Sequence, residues 1–210
     1  MKITAVLGSP RRGMNSETLA EAFLGEAARL GAEVERFRLA ELDYRGCVGC
    51  YACKNGSETC VLEDGLTPVL GAVARAETLV LATPVYFFDA PAQFKGFIDR
   101  WFSFFKPGYH SRDDKSRLPA GRNVVLAVSQ GAPEEAFRDF IQRYDRIFTV
   151  FGFRKMHLIR GGGLRNEPDV AANRPELLAL ARETARRVMA GGPSTFEIPP
   201  YVPTAVPGGR

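Results

Sequence analysis

Five short apolar runs recur along the chain, each followed by a stretch long enough for a helix: ITAVLG at 3–8, AEVERFRL at 32–39, ETLVLAT at 77–83, NVVLAVS at 123–129 and RKMHLIR at 154–160. Most of the intervals repeat apolar residues at the 3.6 period of a helix. Leu19, Ala22, Phe23, Ala27 and Leu30 make the first stripe, and Phe94, Phe97, Ile98, Trp101, Phe102 and Phe105 a denser one. Phe137, Phe140, Ile141, Tyr144, Ile147, Phe148 and Phe151 make another; Leu177, Leu178, Ala181, Ala185 and Val188 make the last, which ends at Gly191-Gly192-Pro193. A shorter stripe, Leu66, Val69, Leu70 and Val73, follows Asp64, a suitable N-cap, with Pro68 in the first turn. Such alternation leaves few folds open. Parallel strands need crossover helices, the crossovers are right-handed, and the helices then cover both faces of the sheet. Runs such as TLVLAT and VVLAV, apolar at consecutive positions, are what burial on both faces requires. The expectation is one α/β domain over residues 1–192, without internal repeats. Residues 193–210 carry five prolines, which forbid helix and central strand and make this segment a tail.

Composition narrows the setting. MKITAVLGS lacks the basic and long apolar regions of a signal peptide, and no run reaches the length of a spanning helix. A cytoplasmic protein with reduced thiols is expected, with no membrane partner. At 210 residues, 45% hydrophobic and 25% charged, the chain can bury a core without disulfide staples. A net charge of +4 suits anionic cofactors and is too small to indicate nucleic acid. Part of it lies in residues 106–122, where Lys106, Arg112, Lys115, Arg117 and Arg122 outnumber Asp113 and Asp114, read as a solvated loop.

In an open parallel sheet, ligands bind beyond the carboxyl ends of the strands. The loop after the first strand, GSPRRGMNSETLAEAF, fits neither G-x-G-x-x-G nor the triphosphate-binding loop. It does hold the parts of a monophosphate site: Ser9, Asn15, Ser16 and Thr18 as donors, Arg11 or Arg12 as charge, and free N–H groups at a helix start. A Ser/Asn-rich cap without ligand has the same composition. After the third strand, Thr83-Pro84-Val85-Tyr86-Phe87 sets a stiff backbone and aromatic rings at the crevice, as a flat cofactor needs. Tyr86, Phe87 and Phe88 cannot all point inward, since neither strand nor helix periodicity permits it. Ser129, Gln130 and Gly131 follow the fourth strand, and Gly161-Gly162-Gly163 the fifth, the latter either a similar device or a flexible connection.

All four cysteines fall in one loop, as Cys47-x2-Cys50-x2-Cys53-x6-Cys60. Zinc sites more often pair two C-x2-C units, whereas this compact spacing is closer to that of iron–sulfur ligands. Free or redox-active thiols remain an alternative, because Gly46, Gly49 and Gly56 would serve a tight empty loop equally well. His157 alternates within an apolar strand and is read as a packed residue.

G-S-P-R-x-x-x-N-S, C-x-G-C-x-x-C with a later fourth cysteine, and T-P-V-Y-F-x-x-x-P-A-Q-x-K-x-F-I-D-R together resemble the flavodoxin-like NADPH-dependent FMN reductase superfamily, and within it the iron–sulfur flavoproteins. The resemblance spans roughly residues 1 to 190. It implies a flavodoxin-like three-layer sandwich with strand order 2-1-3-4-5. It places the FMN phosphate on Ser9, Arg11, Asn15, Ser16 and Thr18, and the isoalloxazine against Pro84, Val85, Tyr86 and Phe87, with Ser129, Gln130 and Gly131 on its other side. It also implies a [4Fe-4S] cluster on Cys47, Cys50, Cys53 and Cys60. NADPH or NADH is the expected electron donor, with Tyr109, His110, Arg112 and Lys115 as candidates to meet it; the alternative is an electron-transfer protein serving a partner. The apolar excess at Phe102, Phe104 and Phe105 points to a homodimer or homotetramer.

Overall fold

The computed structural model describes residues 1–167 and 169–194. Most of the Pro-rich tail, and with it the expected domain boundary's outer side, lies outside the described residues. Strands β1 (Lys2–Leu7), β2 (Glu33–Arg38), β3 (Thr78–Pro84), β4 (Asn123–Ser129) and β5 (Lys155–Gly161) form one sheet, ordered β2-β1-β3-β4-β5 and parallel at every pairing. Helices α1 (Asn15–Arg29), α2 (Leu66–Arg75), α3 (Ala92–Arg100), α4 (Arg138–Val150) and α5 (Pro175–Met189) complete three layers. The expected fold and strand order are both present.

The period-2 alternation of the strands sorts side chains into two cores. Ile3, Ala5 and Leu7 of β1 face α1 and α5, while Val6 faces the opposite layer with Leu79, Leu81, Val124 and Leu126. The two layers differ in character. On the α1/α5 side the helices contribute Ala20, Ala27, Ala181 and Ala185, small residues that allow close approach. On the other side Phe94, Phe97, Trp101, Phe140 and Phe148 fill a deeper space with aromatic rings.

As an edge strand, β2 keeps Glu33, Glu35 and Arg36 exposed, and Arg36 and Arg38 pair with Glu21 and Glu17 of α1 at 3.0 and 2.7 Å. Local expectations for two segments are corrected. The stripe from Phe94 to Phe105 is not one α-helix, because α3 tightens at Trp101–Phe104 into a 3₁₀ turn. Residues 106–122 are not a uniformly solvated loop. Arg122 is buried, and its Nη1 donates to the Val73 and Ala76 carbonyls, each at 2.8 Å, at the C-terminal end of α2. Burial lowers its pKa to about 10, and its guanidinium lies 4.8 Å from the Phe153 ring centre.

The N-cap of α2 is Gly65 and not Asp64, which stands one residue earlier; Asp64 Oδ1 accepts the Leu66 N–H at 3.0 Å, and its own N–H donates to Thr67 Oγ1 at 3.1 Å. His157 is fully buried on β5, with neither ring nitrogen hydrogen-bonded. Burial first, then the charges of Lys155 and Arg187, lower its pKa to about 4. The unfolded chain takes up a proton near pH 6.5 that the folded chain refuses until about pH 4. Stability is therefore expected to fall as pH drops through this window, by up to about 1.4 kcal/mol per unit. His157→Leu should remove that component, which urea unfolding across the same pH range would measure.

Candidate functional site

β1 and β3 lie side by side, but their chains depart to opposite faces of the sheet, and a crevice opens where they part. Gly8 ends β1, donating its N–H to Ala82 O at 2.7 Å; a Cβ there would stand 2.3 Å from Phe94 of α3, so only glycine fits. Of the residues expected to hold a flavin, Ser9, Arg11, Asn15, Ser16, Pro84, Val85, Tyr86, Ser129, Gln130 and Gly131 line this one crevice. Thr18 does not; its hydroxyl donates to Gly13 O at 3.3 Å within the turn before α1. Phe87 does not line it either.

Ser16 is the informative member. It sits in the first turn of α1, and its buried hydroxyl has no hydrogen-bond partner. The helix N-cap, Met14, makes no side-chain capping bond. An orphaned hydroxyl beside uncapped helix N–H groups is the donor set a phosphate requires. Other expected residues are engaged structurally. Asn15 Oδ1 accepts the Ala171 N–H at 2.8 Å, Ser9 Oγ accepts the Arg11 N–H at 3.1 Å, and Gln130 Oε1 accepts from Arg160 Nη2 at 2.8 Å.

Met14, Leu164 and Arg165 also line the crevice and were not anticipated. The signal lay in Gly161-Gly162-Gly163, which is no flexible connection: a Cβ on Gly162 would meet Glu134 N at 2.6 Å, and Gly163 has φ +69°. This tight passage carries Leu164 and Arg165 back to the crevice, where Leu164 N–H donates to Gln130 O at 2.9 Å.

Beyond β3 the chain reverses between Tyr86 and Asp89, whose backbones exchange hydrogen bonds of 2.7 and 3.0 Å. The two central residues, Phe87 and Phe88, have φ of +43° and +72°. Positive φ at both central positions is the pattern of a type I′ turn, which Asn-Gly adopts easily and two phenylalanines do not. Phe87 is 96% exposed and Phe88 66%, with Phe137, itself at φ +59°, packed edge-on against Phe88 at 5.5 Å. The strained turn holds aromatic surface out beside the crevice.

The cysteine loop leads from β2 to α2. Cys47 and Cys50 are exposed, Cys53 buried and Cys60 half-buried, all as free thiols, and all four line one small cavity. Two arginines fasten the loop. Arg100, fully buried at the end of α3, donates to Asp64 Oδ2 at 2.7 Å, Leu62 O at 2.8 Å and Arg45 O at 3.0 Å. Burial acts to raise the Asp64 carboxyl, but Arg100 and the Leu66 and Arg45 N–H groups outweigh it and hold it below its ordinary value. Arg117 reaches Cys53 O at 3.2 Å and Ser103 O at 2.7 Å. Lys54 Nζ stands 3.2 Å from Cys53 Sγ. Donor type and nearby positive charge suit an iron–sulfur cluster. The placement does not complete one: among the described residues, no three His, Cys, Asp or Glu side chains are grouped so as to hold a metal ion.

Phe102, Phe104 and Phe105 are covered by their own chain, Phe102 against Tyr51 and Tyr109, Phe104 against Trp101, and Phe105 against Tyr109 and Phe151. Phe104 is buried, and Phe102 and Phe105 stay half-buried. Among the described residues, no helix is long and apolar enough to cross a membrane.

A doubly wound parallel sheet ordered 2-1-3-4-5, with a crevice at its strand-order switch, is the flavodoxin-like arrangement of α/β proteins. Within that class, the profile of the flavodoxin-like fold matches residues 1–185, and the chain belongs to that family. It is similar to an iron-sulfur flavoprotein of Archaeoglobus fulgidus, 33% identical over 135 residues that cover 64% of this chain and 58% of the relative. It is also similar to an iron-sulfur flavoprotein of Methanosarcina thermophila, 34% identical over 100 residues, or 48% of this chain and 52% of the relative. The chain thus spans about half the length of these curated relatives. Among solved structures, an NAD(P)H:quinone oxidoreductase from Methanothermobacter marburgensis superposes with a TM-score of 0.69 at 21% identity, covering 90% of this chain and 96% of that one. That likeness is one of fold.

The Arg100–Asp64 pair should be the anchor of the cysteine loop. Arg100→Met is expected to cost about 3–5 kcal/mol, because it strands a carboxylate against an apolar wall. The double change Arg100→Met with Asp64→Leu should recover much of that loss. Denaturant unfolding of the three variants checks the coupling.

Proposed function

We propose that the chain is an FMN-dependent oxidoreductase, taking electrons from NADPH or NADH and delivering them to a small acceptor such as a quinone or a free flavin. The observation that carries this reading is the crevice itself, where the orphaned Ser16 hydroxyl at the open end of α1 meets the Pro84–Tyr86 wall. FMN supplies hydride and single-electron chemistry when bound. The chain's own part is to bind and orient. Ser16 and the first N–H groups of α1 hold the phosphate, with Arg11 as counter-charge. The Pro84, Val85 and Tyr86 backbone takes the polar edge of the ring system, and Ser129, Gln130 and Gly131 face it across the crevice. A single candidate phosphate site among the described residues, at the start of α1, favours FMN over FAD. Thr18 and Phe87 are left as outer residues, Phe87 offering apolar surface to a ligand or a second copy of the chain in a homodimer or homotetramer. Tyr109, His110, Arg112 and Lys115 stay candidates for meeting the dinucleotide.

A second reading rests on the convergence of Cys47, Cys50, Cys53 and Cys60 on one cavity and on the names of the two archaeal relatives. In it Cys47, Cys50, Cys53 and Cys60 would hold a [4Fe-4S] cluster supplying one-electron chemistry, and the chain would serve a redox partner protein with no small substrate of its own.

Acid extraction of purified protein should release FMN and no FAD, and either dinucleotide should bleach the flavin band without a partner; bleaching only by dithionite would favour the second reading. Protein prepared without oxygen should contain about four iron and four sulfide per chain if the cluster forms; values near zero would discard it. Ser16→Ala separates ligand binding from folding. Removing an unpaired buried hydroxyl should stabilise the flavin-free protein by about 1 kcal/mol, while FMN binding weakens roughly tenfold. Loss of stability with unchanged FMN affinity would sink the phosphate assignment.

A further inference from the structure

A second cavity lies away from the flavin crevice, between α2, the Trp101–Phe104 turn and the later half of the cysteine loop, with a volume of about 320 Å³. Such a volume falls within the range of small-molecule sites, about 300–1,000 Å³. Its walls are mainly apolar, from Leu62, Leu70, Ala74, Phe104 and Leu118. At one side stand Arg100, whose buried Nε has no hydrogen-bond partner, and Arg117.

The charges of the two arginines are met differently. Arg100 is matched by Asp64. Arg117 donates only to carbonyl oxygens, those of Cys53, Ser103 and Phe105, so no carboxylate balances it among the described residues. Arg117 also lines an outer hollow of about 580 Å³, together with Lys106 and Arg112. Those two cations share the single carboxylate of Asp114. Among the residues lining the two spaces, Glu58, exposed on their common rim, is the one carboxylate. Cations outnumber carboxylates around the opening, and the interior is apolar.

We propose that this cavity is a second ligand site that takes a small amphipathic carboxylate, its apolar body against Leu70, Ala74 and Phe104 and its carboxylate at Arg117. Apolar walls reward a chain that displaces water, and a guanidinium without a carboxylate partner rewards an anion. The cavity also shares Cys60, Leu62 and Arg100 with the cysteine pocket, so its occupant would touch the loop that carries the thiols.

Titration calorimetry of the FMN-saturated protein with octanoate, octanol and acetate tests this. Octanoate should bind saturably, at least tenfold more tightly than either of the others, and excess FMN should not displace it. Ala74→Leu, which fills the cavity from α2, should reduce octanoate affinity at least tenfold while leaving FMN content unchanged. No saturable binding, octanol binding as tightly as octanoate, displacement by FMN, or an unaltered affinity in Ala74→Leu would each overturn the proposal. If that variant does not fold, the ligand series on the natural chain decides.

Discussion

Burial of the inner strands on both faces is the constraint from which the remaining architecture follows. β3 is buried at every residue, and β1 and β4 at every residue but the first. Strands so enclosed can carry almost no polar group that lacks a partner, because an unpaired polar atom there costs more than a hydrogen bond returns. Chemistry is displaced to the carboxyl ends, where β1, β3 and β4 release Ser9, Val85 and Gln130 into one crevice. The parallel order adds the opening itself, since crossovers leaving β1 and β3 for opposite faces must part. The crevice is a consequence of topology before any side chain is chosen.

Much of this was legible because it depends on period and composition. The five runs lie within a residue or two of β1 to β5, and the flavin-site expectation from three separate loops converged on one crevice, apart from Thr18 and Phe87. What escaped was long-range. Arg122 reads as one cation in a basic loop, and nothing local says that it reaches 46 residues back to the Ala76 carbonyl. Phe102 and Phe105 read as surplus apolar surface because Tyr109 and Phe151, which cover Phe105, lie outside the stripe that contains it. Gly162 reads as slack, although the Glu134 backbone stands where its side chain would be. Each case is a contact across elements, to which a periodicity reading is blind.

The cysteine loop shows how an irregular segment can be held without disulfides. Its glycines supply the conformations, with Gly49 and Gly56 at positive φ and Gly46 in close contact with Gly96 of α3. Its carbonyls then point at guanidinium groups. Arg100 and Arg117 together engage the carbonyls of Arg45, Cys53 and Leu62, which fall before, within and after the run of thiols. A planar guanidinium with five donors suits this task better than a lysine ammonium would. These bonds to backbone oxygens leave Cys47 and Cys50 as exposed thiols.

The turn at Phe87 and Phe88 sets backbone conformation against exposed aromatic surface. Left-handed backbone at bulky residues is disfavoured by roughly 1–2 kcal/mol each, and the exposed rings gain little from their own chain in return. Asparagine and glycine at these two positions would relax the backbone and make a more stable protein. Random substitution filtered for thermal robustness alone would therefore erase the aromatic turn early. The stability optimum of this scaffold and its present sequence are different sequences, and they part at these two side chains.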